Sequence, residues 1–381
     1  MADFLFIRPV DVLYLRGNRL FGGSGDHSQA LMPPWPSIAA GALRTRMLAD
    51  LDFDFHDYKK GEKPPEPSGS CLGTPDMPGS FRVSHFTLAK KTGQNFEVYF
   101  RLPADIVVHQ EQDKTIFHYL KPDSIGNGIL SSHPTSKMPL LRVSEPFKPK
   151  TGFWLNEDGL RAYLKGESFI DSHYEKAENL WSVDLMLGIA MTPESRTADE
   201  GRIYTSETVA LKDKVGFLVG VEGAHGMLPS SGLLRFGGDG RGASIKQCQP
   251  DLPEPPWNEI EKSARFRMIL TTPGLFSGGW LPPGVETDGM SWRWSYGNCR
   301  ARLVSACVGK AEVVSGWDLA AEKPKTAFKA APAGSVYWFD EFEGDIEALK
   351  HILVDGLWPD TGSIDAQRRA EGFNNVLFGV W

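Results

Sequence analysis

The segment at residues 33–48, PPWPSIAAGALRTRML, constrains the fold more than any other because it marks where a helix begins. Three prolines within four residues cannot lie inside a helix, but they suit the approach to one. The apolar residues that follow recur at helical spacing: Ile38, Ala39, Ala42, Leu43 and Met47. The segment therefore predicts a helix that begins beside Ser37, with the Ser37 hydroxyl as its N-cap.

The start of this helix is a candidate anion site, because the free backbone N–H groups of a first helical turn attract phosphates. Arg44 and Arg46 lie off the apolar face of the same helix and could supply positive charge. Most capped helices bind no ligand, however, and both arginines could equally be solvated surface residues. The segment alone leaves both interpretations open.

Composition indicates an ordinary soluble globular protein of two or three domains, because 41% of its 381 residues are hydrophobic and 23% are charged. No apolar run is long enough to span a membrane, and the first residues do not resemble a signal peptide, so we expect a cytoplasmic protein. The formal net charge of −7 argues against bulk attraction to nucleic acid. Any RNA site must therefore be a local basic patch.

The four cysteines are scattered along the chain and form no CxxC pair, and no HExxH motif is present. In a chain of this length, such a pattern predicts reduced and mostly buried thiols rather than a zinc site. We therefore expect no metal and no other cofactor.

Short strands with few helices favour an α+β fold over a doubly wound α/β fold. Residues 4–7 predict a buried strand, and residues 202–211 predict a second strand whose partner would be residues 215–223. The proline-rich residues 52–80 show no periodicity and predict an exposed insertion, and residues 121–150 predict another loop insertion.

The glycine-rich segment RFGGDGRG, at residues 235–242, is a second candidate phosphate site. Glycines such as Gly237 and Gly238 permit positive φ angles and leave room for an approaching backbone. The guanidinium of Arg241 could then bind a phosphate with two hydrogen bonds. No Gly-Lys-Ser/Thr follows, so this is not a P-loop, and a tight turn between strands is the simpler interpretation of these residues alone.

Six motifs in order along the chain carry a family resemblance: RPVDVLYLRGNRLF, PPWPSIAAGALR, GIAMTPESRTADEGRIYTSE, RFGGDGR, TTPGLFSGGWLPPG and AAPAGSVYWFDEF. Together they resemble the third subunit of the Cmr (type III-B CRISPR) effector complex, a member of the RAMP superfamily. The resemblance runs through nearly the whole chain and is weakest in residues 52–80.

The resemblance implies two ferredoxin-like (RRM-like) RAMP domains with long loop insertions. The first would span residues 1–250, with insertions at 52–80 and 121–150, and the second would span residues 251–381. It also implies a non-catalytic subunit that binds the 5′ repeat-derived tag of the CRISPR RNA in antiviral defence. Its expected protein partners are the large polymerase/cyclase subunit and a neighbouring backbone RAMP subunit.

Single-stranded RNA is recognised by aromatic stacking on its bases and by basic side chains and N–H groups on its phosphates. The residues that we predict to bind the tag are Ser37, Arg44, Arg46, Arg196, Thr197, Gly237, Gly238 and Arg241. Arg196 could instead form a surface salt bridge with Asp199 or Glu200. Trp280 could stack on a base, but its glycine- and proline-flanked position favours packing against the core or a partner.

The chain departs from the RAMP pattern near its last strand, where Asn374 and Asn375 replace the expected glycines. Asparagine tolerates left-handed backbone better than most residues, so the turn can persist without binding RNA. Two other functions remain open. One is a metal-independent CRISPR RNA endonuclease with His27 as general base, and the other is a purely structural adaptor that does not read RNA.

Overall fold

The computed structural model describes residues 2–17, 27–28, 30–111, 114–126, 135, 137–192, 195, 197–287, 289, 291–360 and 364–381. This part of the chain is a strand-rich mixture of strands and a few helices. Its α-helices are α1 (Ser37–Asp50), α2 (Phe55–Lys59), α3 (Ser68–Leu72), α4 (Glu157–Leu164), α5 (Trp257–Ser263), α6 (Ile346–Asp355) and α7 (Ala366–Ala370), with short 3-10 helices at Asp171–His173 and Ala177–Asn179.

The strands run in chain order as β1 (Asp3–Pro9), β2 (His27–Ser28), β3 (Arg82–Thr92), β4 (Asn95–Arg101), β5 (Ile106–Glu111), β6 (Lys114–Tyr119), β7 (Lys121–Asp123), β8 (Met138–Leu140), β9 (Phe153–Leu155), β10 (Tyr174–Lys176), β11 (Trp181–Met191), β12 (Ala198–Leu211), β13 (Val215–Glu222), β14 (Ser231–Arg235), β15 (Gly242–Cys248), β16 (Phe266–Leu270), β17 (Val285–Thr287), β18 (Trp292–Tyr296), β19 (Cys299–Cys307), β20 (Glu312–Val314), β21 (Trp317–Asp318), β22 (Lys323–Pro324), β23 (Phe328–Ala330), β24 (Val336–Glu343) and β25 (Val376–Gly379). No helix in the described ranges is long and apolar enough to cross a membrane.

The chain folds into two compact units that differ from the predicted domains. The first unit contains residues 1–96, 178–249 and 313–328, and the second contains residues 97–177, 250–312 and 329–381. The predicted boundary after residue 250 coincides with one crossing between units. Residues 97–177 pack with the second unit instead of the first, because their apolar side chains share a core with strands β16, β19 and β24.

In the first unit, five antiparallel strands lie side by side in the order β3-β13-β1-β15-β14. Strand β13 lies between β3 and β1, and its first seven residues are all buried. Helix α1 contributes a buried face to this unit, made of Ala39, Ala40, Leu43, Met47 and Leu48. The helix predicted from the proline-rich segment is therefore present at the expected position.

The predicted partner of residues 202–211 was wrong. Strand β12 pairs with β11 in a long antiparallel hairpin, whereas β13 pairs with β1 and β3. The physical reason is the apolar character of β13, which is buried along nearly its whole length and therefore needs strands on both sides. Adjacency in sequence suggested a β12–β13 hairpin, but burial decided the pairing.

The prediction of an exposed insertion without periodic structure at residues 52–80 was wrong in part. The short helices α2 and α3 form there, and Ser68, Gly69, Cys71 and Leu72 of α3 are buried. The Asp54 side chain caps α2 by accepting from the His56 N–H. Within residues 121–150, strands β7 and β8 pair with each other, and residues 127–134 and 136 lie outside the described part.

In the second unit, six antiparallel strands lie in the order β17-β18-β19-β24-β16-β25. Phe266 of β16 is buried at the centre, where its ring stacks on Phe339 at 4.9 Å. Trp280 packs partly buried against the same core, and its carbonyl oxygen accepts a hydrogen bond from the Tyr337 hydroxyl at 2.7 Å. The expected packing role of Trp280 therefore fits its position.

A buried ion pair joins three elements of the second unit. The Arg267 guanidinium donates to the Asp105 carboxylate at 3.1 Å and to the Tyr163 carbonyl at 2.6 Å. The Tyr163 hydroxyl donates to the other Asp105 oxygen at 2.7 Å. The relative exposure of the Arg267 and Asp105 side chains is only 5% and 1%. This network ties β16 to α4 and to the segment before β5.

Candidate nucleic-acid interface

The glycine-rich segment forms a tight turn between β14 and β15 and docks on residues 13–15. Gly237 has a φ of 84°, and a Cβ atom at this position would approach the Tyr14 carbonyl oxygen to 3.2 Å. The Gly238 N–H donates to the same oxygen at 2.9 Å. Positive φ and close backbone approach explain why glycines occupy these positions. The tight-turn interpretation is therefore correct in local structure.

Arg241 lies at the end of this turn, beside an aromatic ring. Its guanidinium carbon is 5.2 Å from the centroid of the Tyr14 ring, and that of Arg16 is 5.7 Å from the same centroid. Arg241 also donates to the Asp11 carboxylate at 2.6 Å. We call Asp11, Tyr14, Arg16 and Arg241, together with Gly237 and Gly238, the tyrosine–arginine cluster.

The ion pair between Asp11 and Arg241 is weak enough for an external anion to compete for Arg241. The Asp11 side chain is 61% exposed and that of Arg241 is 29% exposed. Exposed ion pairs contribute only about 0–1 kcal/mol to stability because water and salt screen them. A phosphate could therefore replace Asp11 at Arg241 at little energetic cost, while the Tyr14 ring supplies a surface for a base.

The β11–β12 hairpin begins next to this cluster. The Tyr14 hydroxyl lies 3.4 Å from the Met186 sulfur, and the Leu13 N–H donates to the Val209 carbonyl at 2.8 Å. Residue Ala30, which forms a bridge with Arg16, donates its N–H to the Glu207 carboxylate at 2.6 Å. Residues 13–16 and 30 therefore run along the base of the hairpin.

One face of β11 is apolar and exposed. Alternate residues point to the same face of a strand, and those on this face are between 46% and 73% exposed: Val183, Leu185, Leu187, Ile189 and Met191. Such a row is unusual on a protein surface that contacts only water. The hairpin is therefore a candidate surface for a macromolecular partner.

Thr197 lies at the far end of this hairpin. Its carbonyl accepts from the Thr192 N–H at 3.0 Å, and its hydroxyl is 2.7 Å from that of Ser195. About five strand residues separate it from Met186, or roughly 17 Å at 3.4 Å per residue. Thr197 and Arg241 are therefore in the same unit but not in one cluster. Arg196 lies outside the described residues.

Ser37 is not the N-cap of α1, which corrects the prediction. Pro36 occupies the cap position with φ −63° and ψ −23°, and no side chain caps the helix. Because Pro36 already has helical angles, its carbonyl accepts from Ala39 and Ala40, and Ser37 becomes the first helical residue. The Ser37 hydroxyl consequently does not serve the first turn.

Arg44 and Arg46 have partners within the first unit. Arg44 Nη2 donates to the Tyr58 hydroxyl and the Leu72 carbonyl, each at 2.8 Å. Burial raises the pKa of Tyr58, and the neighbouring Arg44 opposes that rise. Arg46 donates to the Asp50 carboxylate at 2.7 Å and to the Leu233 carbonyl at 2.5 Å. These contacts favour a structural role for both arginines.

Arg44→Ala should lower the free energy of unfolding of the first unit by about 2 kcal/mol, because hydrogen bonds from a charged donor contribute about 1.5–3 kcal/mol. Thermal unfolding measures the change. Lys60→Ala is the matched control, because Lys60 is exposed and pairs with the exposed Asp57 at 3.4 Å. Equal stability of the two variants would contradict the structural role of Arg44.

The cysteine side chains are mostly buried, which keeps their thiols protonated. Cys71, Cys248 and Cys299 are buried, as predicted, and burial raises the pKa of Cys248 and Cys307 to about 12. Within the described ranges, no three His, Cys, Asp or Glu residues are arranged to hold a metal ion.

Sequence reasoning missed Tyr14, Arg16, Asp11 and the apolar row of β11. The alternation in VDLMLGIAM was a signal for an exposed strand face, but the sequence could not say which face would be buried. Nothing in the sequence indicated that residues 11–16 would meet the glycine-rich turn more than 220 positions away.

The fold and this surface define a class: strand-rich proteins of two antiparallel-sheet units that present a basic, glycine-lined loop cluster beside a long hairpin. The model of the CRISPR-associated protein family Cas_Cmr3 matches residues 5–381. The chain belongs to this family, which confirms the resemblance to a Cmr subunit. None of the curated proteins compared with the chain matches it.

Two solved structures share the fold at low sequence identity. A chain of the type III-B Cmr-beta complex bound to cognate target RNA and AMPPnP, state 1, is 13% identical, with a TM-score of 0.52 and coverage of 99% of both chains. A chain of Cmr-beta bound to cognate target RNA is 14% identical, with a TM-score of 0.52, covering 98% of this chain and 96% of that one.

Proposed function

We propose that this chain is a non-catalytic subunit of a type III-B CRISPR effector complex that binds the 5′ repeat-derived tag of the CRISPR RNA. The observation that carries the proposal is the tyrosine–arginine cluster, in which two guanidinium groups lie within 6 Å of one tyrosine ring. An unpaired base stacks on such a ring while arginines hold the adjacent phosphates. In the adjoining turn, Gly240 has open space where a Cβ would lie, which leaves room for an RNA backbone.

The strand order supports this proposal. Core strands run β3-β13-β1-β15 in the first unit and β19-β24-β16-β25 in the second, all antiparallel. In each unit, the order is second, third, first and fourth along the chain, which is the arrangement of a ferredoxin-like domain. We therefore propose two ferredoxin-like RAMP units, a fold class that includes modules for single-stranded RNA.

Docking of protein subunits is the second part of the proposal. The apolar face of β11 supports it, because the centres of protein interfaces are depleted of charge. We propose that the large polymerase/cyclase subunit and a neighbouring backbone RAMP subunit are the partners. A pure adaptor would use this face without reading RNA, so RNA binding decides between the two roles.

The endonuclease alternative depends on His27. Its backbone pairs in parallel with β12, and its side chain lies outside the described residues. Incubation of the complex with repeat-containing RNA tests this role directly. Cleavage that disappears in His27→Ala would show an endonuclease and contradict the non-catalytic role. RNA that stays intact supports the non-catalytic role.

Arg241→Ala should weaken binding of tagged CRISPR RNA about tenfold or more, because a charge-assisted hydrogen bond contributes about 1.5–3 kcal/mol. The measurement is a salt series with tagged RNA and with RNA of scrambled tag, using the chain alone and with its large-subunit partner. Arg293→Ala is the matched control, because Arg293 is also an arginine paired with a surface carboxylate, Glu341, at 3.0 Å.

Two outcomes would contradict this proposal. Equal affinity of Arg241→Ala and Arg293→Ala for tagged RNA would remove the tyrosine–arginine cluster from the site. Equal and weak binding of the unmodified chain to tagged and scrambled RNA would favour the adaptor role.

A further inference from the structure

Positive charge is concentrated along the edge of the first unit's sheet where its strands begin and end, outside the tyrosine–arginine cluster. Antiparallel pairing aligns Lys90 of β3 with Val215 of β13, and Pro9 of β1 with Ala243 of β15. The Lys91 N–H then donates to the Lys214 carbonyl at 2.9 Å, and the Val10 N–H donates to the Gly242 carbonyl at 3.0 Å. The ends of four neighbouring strands therefore meet along one edge.

Five basic residues lie at this edge, and we call them the sheet-edge cluster: Arg8, Lys90, Lys91, Lys212 and Lys214. Lys212 and Lys214 are exposed in the turn that leads from β12 to β13, and the Arg8 side chain is 53% exposed. The acidic residue in this turn, Asp213, lies 3.3 Å from Arg8 and offsets one of the five positive charges, which leaves an excess of four.

The sheet-edge cluster is continuous with the tyrosine–arginine cluster. Gly242 follows Arg241 directly and begins β15, which lies two strands from β13 in the same sheet. Neighbouring strands are about 4.8 Å apart, so β3 and β15 are separated by roughly 14 Å along the edge. Basic groups thus extend from Lys90 and Lys91, past Arg8, to Arg241.

We propose that the sheet-edge cluster binds the phosphate backbone of the same RNA strand, without reading its sequence, next to the segment held at the tyrosine–arginine cluster. The inference rests on the proposed RNA-binding function and adds a second contact region to it. Lysine ammonium groups are point charges that suit phosphates without a fixed geometry. In a chain with a net charge of −7, such a local excess gives RNA a defined path.

An RNA strand fits these observations better than an acidic protein does. The cluster forms a narrow row along strand ends and continues into the glycine-rich turn, where Gly240 has open space at its Cβ position for a nucleic-acid backbone. Protein interfaces have apolar centres, and the lysine-rich turn at residues 212–214 has no apolar residue. The apolar face of β11 is the surface that suits a protein partner.

The test is the salt dependence of RNA binding by the full chain in its complex. Each phosphate contact that is lost lowers the log–log salt slope by about 0.7 for a single strand. Replacing Lys90, Lys91, Lys212 and Lys214 together by glutamine should therefore lower the slope by about 2.8, equally for tagged and scrambled RNA. The control replaces Lys121, Lys148, Lys165 and Lys262 of the second unit, which are exposed, as Lys212 and Lys214 are.

Lys212→Gln with Lys214→Gln is a smaller variant, confined to an exposed turn, in case the fourfold change disturbs folding. It should lower the slope by about 1.4. A slope equal to that of the control variant would overturn the proposal, and so would an unchanged slope with weaker binding of the large subunit. Preference for tagged over scrambled RNA is measured separately from the salt slope. Absence of this preference in the unmodified chain would contradict the proposed function rather than the sheet-edge cluster.

Discussion

Asp105→Ala is expected to lower the free energy of unfolding of the second unit by about 3–5 kcal/mol, because it leaves a buried guanidinium without its counter-charge. Arg267 is only 5% exposed and has no other carboxylate partner among its hydrogen bonds in the described structure. Burial raises the pKa of the Asp105 carboxyl, and the Arg267 guanidinium and Tyr163 hydroxyl oppose that rise. Removing Asp105 also deprives the Tyr163 hydroxyl of its acceptor.

Urea unfolding followed by tryptophan fluorescence measures this change. Asp251→Ala is the matched control, since Asp251 also pairs with an arginine, Arg161, at 3.5 Å but is 93% exposed. The control should change stability by no more than about 1 kcal/mol. Similar stability losses in the two variants would show that the buried pair does not hold the unit together.

Asn374→Gly is expected to destabilise the second unit by about 2–4 kcal/mol, because one buried and one part-buried backbone group lose their partners at about 1–3 kcal/mol each. The Asn374 side chain is fully buried, and it accepts from the Leu275 N–H at 2.6 Å and donates to the Leu357 carbonyl at 3.0 Å. Its φ of 62° lies in the left-handed region. Asn374→Ala should therefore cost about 1 kcal/mol more than Asn374→Gly.

Thermal unfolding of Asn374→Gly, Asn374→Ala and the control Asn298→Ala checks both parts of this prediction. Asn298 lies exposed in the turn between β18 and β19, so its replacement should have a small effect. If Asn374→Gly were as stable as the unmodified protein, the two hydrogen bonds of the Asn374 side chain would not contribute to stability. If Asn374→Ala and Asn374→Gly were equally stable, backbone strain at the left-handed φ would not contribute to the free energy of unfolding.

Local patterns predicted the elements whose signals are local. The proline-rich segment located α1, and the runs at residues 4–7, 202–211 and 215–223 located β1, β12 and β13. The left-handed turn at Asn374 also followed from residue chemistry. Pairing partners did not, because the partner of a strand is decided by burial across the whole sheet rather than by its neighbour in sequence.

The candidate site was predicted only in part. Gly237, Gly238 and Arg241 lie together, but their contact with Tyr14 and Asp11 depends on the alignment of β1 with β15. Arg44 looked available on a helical projection, yet residues 58 and 72 fold back to accept its hydrogen bonds. A helix pattern shows which face is polar but not which polar groups from distant segments cover it.

The interleaving of the two units also governs when each can form during synthesis. The chain passes between units five times, and the first unit takes its last piece from residues 313–328. Domains generally fold as they emerge from the ribosome, the N-terminal one first. Here the first unit is complete only after residue 328 of 381 has been made, so a fragment that ends near residue 250 lacks part of both units.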